Sequence, residues 1–130
     1  MSGFVIQITT DDAVNPVAIP EECGSTLKFL QSLVGGYIET VKVYLIHQSL
    51  TLILLVDEEG WIKDSPCNRI AADMAAEPMI FGDAVLCKVI HDGDGEQDLG
   101  FFTEEEAEEV LSGIFTAFGI SDKSVRRALR

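Results

Sequence analysis

Two short blocks hold the residue types best suited to gripping a ligand. In Gly35-Gly36-Tyr37, two residues without a Cβ precede an aromatic ring that carries a hydroxyl. Such a corner either solves a backbone problem or lets a ligand approach closely, with Tyr37 as a stacking face. In Pro66-Cys67-Asn68-Arg69, Asn68 stands where a helix N-cap is expected, and a helix start is also a natural anion site. A phosphate-bearing ligand needs cations around it, and Lys42, Lys63 and Arg69 are the candidates in this part of the chain. Together these residues describe a pocket for a small anionic, nucleotide-like molecule.

A third constellation is acidic. Between Asp92 and Glu109 the chain has nine carboxylates and no lysine or arginine. Asp92, Asp94, Glu96 and Asp98 fall at positions 1, 3, 5 and 7 of an imagined calcium loop. Its sixth position is Gln97 instead of glycine and its twelfth is Thr103 instead of a bidentate glutamate, so an exposed turn is the better account. Beyond it, Glu104/Glu108 and Glu105/Glu109 repeat every four residues, about 6 Å along a helix axis. That spacing can imitate phosphate charge toward a basic partner.

Other chemistries find little support. His47 and His91 lie near turns and far apart in sequence. Cys87 and His91 share strand parity but stand ~13 Å apart in an extended chain, too far for a nucleophile pair. Cys23, Cys67 and Cys87 contain no C-x-x-C, which argues against a zinc ribbon or a disulfide framework. There is no Ser-His-Asp order, P-loop or dinucleotide fingerprint. The expectation is a protein that is not an enzyme and has no metal or cofactor.

These groups need a scaffold, and the hydropathy pattern supplies one. Residues 4–9 read as a strand, and residues 13–19, containing Pro16, as an edge strand. Ser25 can cap a helix with Leu27, Leu30 and Val34 on one face and Phe29 and Leu33 beside them, stopped by Gly35-Gly36. Residues 37–46 and 50–56 make a hairpin, the second strand apolar on both faces and therefore central. Trp61-Ile62-Lys63 reads as a short returning strand, residues 68–76 as a helix with Ile70, Ala71 and Met74 inward, and residues 80–90 as another strand. Residues 99–102 are extended. Thr103 and Glu106 form a capping box before a helix with Ala107, Val110, Leu111, Ile114, Phe115 and Phe118 on one stripe. The fold class is α+β: a largely antiparallel sheet with two or three covering helices in one compact domain, residues 1–130, ending in a short basic tail at 122–130.

Composition bounds the function. The chain has 130 residues, 47% of them hydrophobic, and a formal charge of −13. Residues 1–121 alone carry net −16, because the last eight residues hold four of the nine basic groups. So acidic a domain is a poor candidate for direct binding of duplex nucleic acid. The longest aliphatic run, residues 52–56, is far short of the ~20 residues a bilayer requires. The first residues have no basic region before an apolar one, so a cytoplasmic location is expected. Strands apolar on both faces predict an exposed patch or edge, and hence a homodimer.

From about residue 17 to residue 90 the order of signals resembles a small family, domain of unknown function three-eight-four-six. Its specific parts here are Val34-Gly35-Gly36-Tyr37-Ile38-Glu39 and Pro66-x-Asn68-x-x-Ala71, with Val56-Asp57-Glu58-Glu59-Gly60 and Ile80-x-Gly82-Asp83-Ala84 around them. Cys67 stands where the family more usually has an apolar residue, so it is not read as a nucleophile. The resemblance implies an accessory protein of phages and conjugative elements, with no reaction to carry over. Two functions fit it. The first choice is counter-defence by sequestering a small anionic ligand at Gly35, Gly36, Tyr37, Lys42, Lys63, Asn68 and Arg69. The other is an acidic interaction module, or nucleic-acid mimic, that inhibits a basic host protein.

Overall fold

The computed structural model describes residues 3–20, 26–43, 51–91 and 97–118. Its elements are β1 (Phe4–Ile8), β2 (Val14–Ala18), α1 (Thr26–Val34), β3 (Ile38–Lys42), β4 (Leu52–Asp57), α2 (Arg69–Ala75), β5 (Ala84–His91), β6 (Gln97–Gly100) and α3 (Glu104–Phe118). The strands form one six-stranded sheet in the order β2-β1-β5-β4-β3, with β6 also paired to β5. Every named pairing is antiparallel.

Period-two alternation divides the apolar residues between the two faces. Val5, Leu55, Val85 and Cys87 point to one side and pack with Leu30 and Val34 of α1. Ile6, Ile8, Leu54, Val56, Ala84 and Leu86 point to the other, beneath α2 and α3. β4 and β5 are therefore apolar on both faces, as a centrally placed strand must be. Hydrogen bonds Thr9 N–H to Ala13 O and Ile19 N–H to Gly3 O put the odd residues of this hairpin in the β1–β2 ladder. Pro16 therefore lies at a position whose backbone faces away from the sheet, where its missing N–H removes no ladder bond.

α3 follows its capping box. Thr103 Oγ1 accepts from Glu106 N–H at 3.1 Å, and Glu106 Oε1 accepts from Thr103 N–H at 2.9 Å. Ala107, Val110, Leu111 and Ile114 are fully buried, and the same Glu106 oxygen meets Lys88 Nζ of β5 at 2.8 Å. The helix is thus fixed to the sheet by an apolar stripe and one ion pair.

Three expectations need correction. Trp61-Ile62-Lys63 is a succession of turns, not a strand, held by Lys63 N–H to Glu59 O and Ser65 N–H to Gly60 O. Three residues are too few to overcome turn geometry without a pairing partner. Leu27 does not join the α1 core stripe but is 56% exposed, because so short a helix meets the sheet mainly through its later turns. The last predicted strand begins at Ala84, and Phe81 makes only an isolated bridge to Cys67. Ser25, the hairpin turn at 47–49, Asp92, Asp94 and Glu96, and the basic tail lie outside the described residues.

Candidate functional site

The Gly-Gly-Tyr block is the exit of α1. Gly35 and Gly36 N–H groups both donate to Gln31 O, at 2.8 and 3.2 Å, and Gly35 has φ +92°, the left-handed geometry that ends a helix. A Cβ at Gly36 would lie 2.6 Å from Lys63 Nζ and 2.8 Å from Asp57 Oδ1. The space freed by that glycine is filled by the protein itself. Lys63 Nζ donates to Gly35 O at 3.2 Å and to Asp57 Oδ2 at 2.9 Å, while Asp57 Oδ1 accepts from Glu59 N–H at 2.9 Å. Tyr37 receives Glu58 N–H at its carbonyl, and its side chain is 68% exposed.

Asn68 is the N-cap of α2 and is fully buried. Its Oδ1 accepts from Ala71 N–H at 3.2 Å, and its Nδ2 donates to Ile8 O at 2.8 Å and Gly82 O at 3.0 Å. One amide therefore caps a helix and joins the end of β1 to the segment leading into β5. Arg69 ion-pairs with Asp12 of the β1–β2 turn at 3.0 Å. Lys42 is exposed at the opposite end of β3 from Ile38.

The structure thus brings Gly35, Gly36, Tyr37 and Lys63 into one corner on the α1 side. Asn68 and Arg69 belong to α2 on the other face of the sheet, and Lys42 is at a strand end. Lys63 and Arg69 each hold a carboxylate, so their charge is largely balanced locally. On α3, Glu104, Glu105, Glu108 and Glu109 are all exposed, whereas Glu106 turns in toward Lys88. Asp98 is exposed on β6 and accepts from Leu99 N–H.

Sequence reasoning missed a cavity of about 240 Å³ that shares Asp57 and Glu58 with the glycine corner. Glu39, Glu77, Val41, Val56, Trp61, Met79 and Phe81 contribute to its walls, and among the described residues no lysine or arginine lines it. It is assembled from β3, the end of β4 and the segments on either side of α2. Its residues come from separate segments, so no local pattern in the sequence marks it.

The titrating groups follow their surroundings. Burial alone would raise the Asp57 carboxyl, but hydrogen bonds from Lys63 and Glu59 N–H, with the Lys63 charge, hold it below its ordinary value. Burial likewise opposes ionisation of Glu106, and the Lys88 and Thr103 contacts outweigh it, so its pKa is also lowered. Burial pushes the Cys87 thiol up to about 12, which leaves it inert. A carboxyl more acidic in the fold than in the unfolded chain stabilises above the unfolded pKa, near 3.8 for Asp57, and loses that contribution as pH falls toward the folded value. Thermal melts from about pH 7 to about pH 3 should therefore show a shallower acid limb for Asp57→Asn than for the wild type. Parallel limbs would mean that the Asp57–Lys63 pair adds no pH-dependent stability.

Among the described residues, no cluster of three or more His, Cys, Asp or Glu side chains could hold a metal ion. No described helix is long and apolar enough to cross a membrane.

An antiparallel sheet with one helix on one face and two on the other defines an α+β domain. The family model described as "Domain of unknown function (DUF3846)" matches residues 1–112, and the chain belongs to that family. The match extends beyond residues 17–90 on both sides and includes most of α3, so the acidic helix face is part of the family region. No curated protein matches the chain. Among solved structures, the "Crystal structure of small RNA methyltransferase HEN1" is similar, with a TM-score of 0.59 and 14% identity over 99% of this chain. The chain spans 18% of that protein, and a likeness at this identity shows the fold alone.

Proposed function

We propose that the domain is a non-enzymatic interaction module whose acidic surface occupies the basic face of a partner protein. The observation that supports this reading best is the outer face of α3. Glu104, Glu105, Glu108 and Glu109 are exposed there, at the N-terminal half of a helix firmly anchored by its other side. A helix already folded and anchored presents these carboxylates with no backbone-ordering penalty on binding. The setting implied by the family resemblance is a phage or conjugative element, and a nucleic-acid-binding host protein in the cytoplasm is the kind of partner such a surface fits. Counter-defence by charge mimicry is then its role.

Sequestration of a small anion draws less support. Lys63 and Arg69, two of the cations it relies on, are engaged by Asp57 and Asp12, and Asn68 is committed within the fold. The cavity beside the glycine corner has carboxylates in its walls, which repel an anion.

Calorimetry with an arginine- and lysine-rich peptide tests the proposal. Replacing Glu104, Glu105, Glu108 and Glu109 together by Gln should weaken binding roughly 30-fold, taking about 0.5 kcal/mol for each exposed pair. Added salt should weaken the wild-type complex, and Arg69→Ala should leave it unchanged. Equal affinity of the four-Gln variant and the wild type would overturn the reading.

A further inference from the structure

The cavity between β3, the turns after β4 and the segment after α2 has a composition that the α3 face lacks. Three of its carboxylates, Glu39, Glu58 and Glu77, are exposed, and Asp57, which also lines it, is held in its pair with Lys63. Its rim carries two large apolar side chains left in water, Trp61 at 67% and Met79 at 62% exposure. Large apolar side chains exposed beside a concavity are one of the marks of an interaction site.

The rim is built, not frayed. A Cβ on Gly60 would come within 2.6 Å of Phe81 O, so the turn backbone lies directly against the Phe81 segment. Gly82 N–H donates to Pro66 O at 2.8 Å, and Ser65 N–H donates to Gly60 O at 3.1 Å, closing the loop on both sides. Trp61 is therefore presented outward by a backbone that its neighbours hold in place. At about 240 Å³ the cavity is below the range of roughly 300–1,000 Å³ typical of sites for drug-sized ligands, but it has room for one side chain.

An indole face beside several carboxylates is the arrangement that attracts an organic cation. We infer that this cavity receives a lysine or arginine side chain from the basic partner protein, with the cation over Trp61 and its charge met by Glu39, Glu58 and Glu77. The inference rests on the reading of the domain as an acidic interaction module and gives that module a specific anchor. The α3 face supplies long-range attraction, and the cavity supplies the short-range contact.

Trp61 is the only tryptophan in the chain, so its fluorescence reports on this cavity alone. Titration of the full chain with the arginine- and lysine-rich peptide should change Trp61 emission saturably, with the same midpoint as the calorimetric isotherm. Trp61→Ala should lower the calorimetric affinity about 5- to 30-fold, Trp61→Phe less, and Glu77→Gln a few-fold. The side chain of Trp61 is largely exposed, so its removal should leave the core intact, which thermal melts of the variant check. Peptide binding with unchanged Trp61 emission and an unaltered Trp61→Ala affinity overturns this inference while the acidic-module reading stands. Absence of any peptide binding removes both. Butylammonium chloride alone, binding as tightly as the peptide, overturns the protein side chain as occupant in favour of a free small amine.

Discussion

Asn68→Asp is expected to destabilise the domain by about 4 kcal/mol, although it changes one atom of the side chain. The aspartate retains an oxygen for Ala71 N–H and so remains a competent helix cap. It has no N–H to offer Ile8 O or Gly82 O, and at neutral pH it brings a negative charge to two buried carbonyl oxygens. Each orphaned buried acceptor costs about 1–3 kcal/mol, before any charge repulsion is added. Against a total stability of about 5–15 kcal/mol, this is a large fraction. Asn68→Ala should lose a similar amount by a different route, about 1 kcal/mol for the cap and the rest for the two carbonyls. Urea unfolding midpoints measure both. An Asn68→Asp variant within about 1 kcal/mol of wild type would show that capping, and not the tie between β1 and the segment leading into β5, is what Asn68 contributes.

Phe102→Ala should cost about 3–5 kcal/mol, the usual range for emptying a buried aromatic site. Phe102 is fully buried in the cluster beneath α2 and α3. Its backbone exchanges two hydrogen bonds of 2.8 Å with Phe4, so the chain is held in place and cannot easily collapse into the void. The adjacent Phe101 provides an internal comparison. It is half-buried against the α1-side cluster, and Phe101→Ala should cost distinctly less, about 1–2 kcal/mol. Denaturant melts of the two variants give the contrast directly. Equal losses would contradict the difference in burial between Phe102 and Phe101.

How much of this was legible in the sequence depended on the range of the interactions. α3 was readable because its cap, stripe and length all lie within one continuous segment. β1, β2 and α2 were readable for the same reason, and Pro16 marked its strand as an outer one. The glycine corner was recognised as a helix exit, but its filling by Lys63 was not, because that contact joins residues 28 apart. Asn68 was recognised as a cap, while its two donor contacts reach Ile8 and Gly82 and have no local signature. The cavity was illegible for a stronger reason. Glu39, Trp61 and Glu77 have no fixed spacing that a linear pattern can express; the order of strands in the sheet brings them together. Trp61 was misassigned to a strand because it follows a turn signal, and the three residues Trp61-Ile62-Lys63 are too few to distinguish a returning strand from further turns.

The position of Pro16 on the outward side of β2 bears on how copies of this protein can stack. Propagation of one sheet into the next through the β2 and β3 flanks needs a receptive backbone on both. Pro16 removes a donor from the middle of the β2 flank, whereas β3 offers an uninterrupted strand. Two copies meeting through β3 can satisfy each other by a two-fold axis, and the surface they leave outward is the blunted one. Among the described residues, edge-to-edge pairing along this path is therefore favoured at β3 and disfavoured at β2.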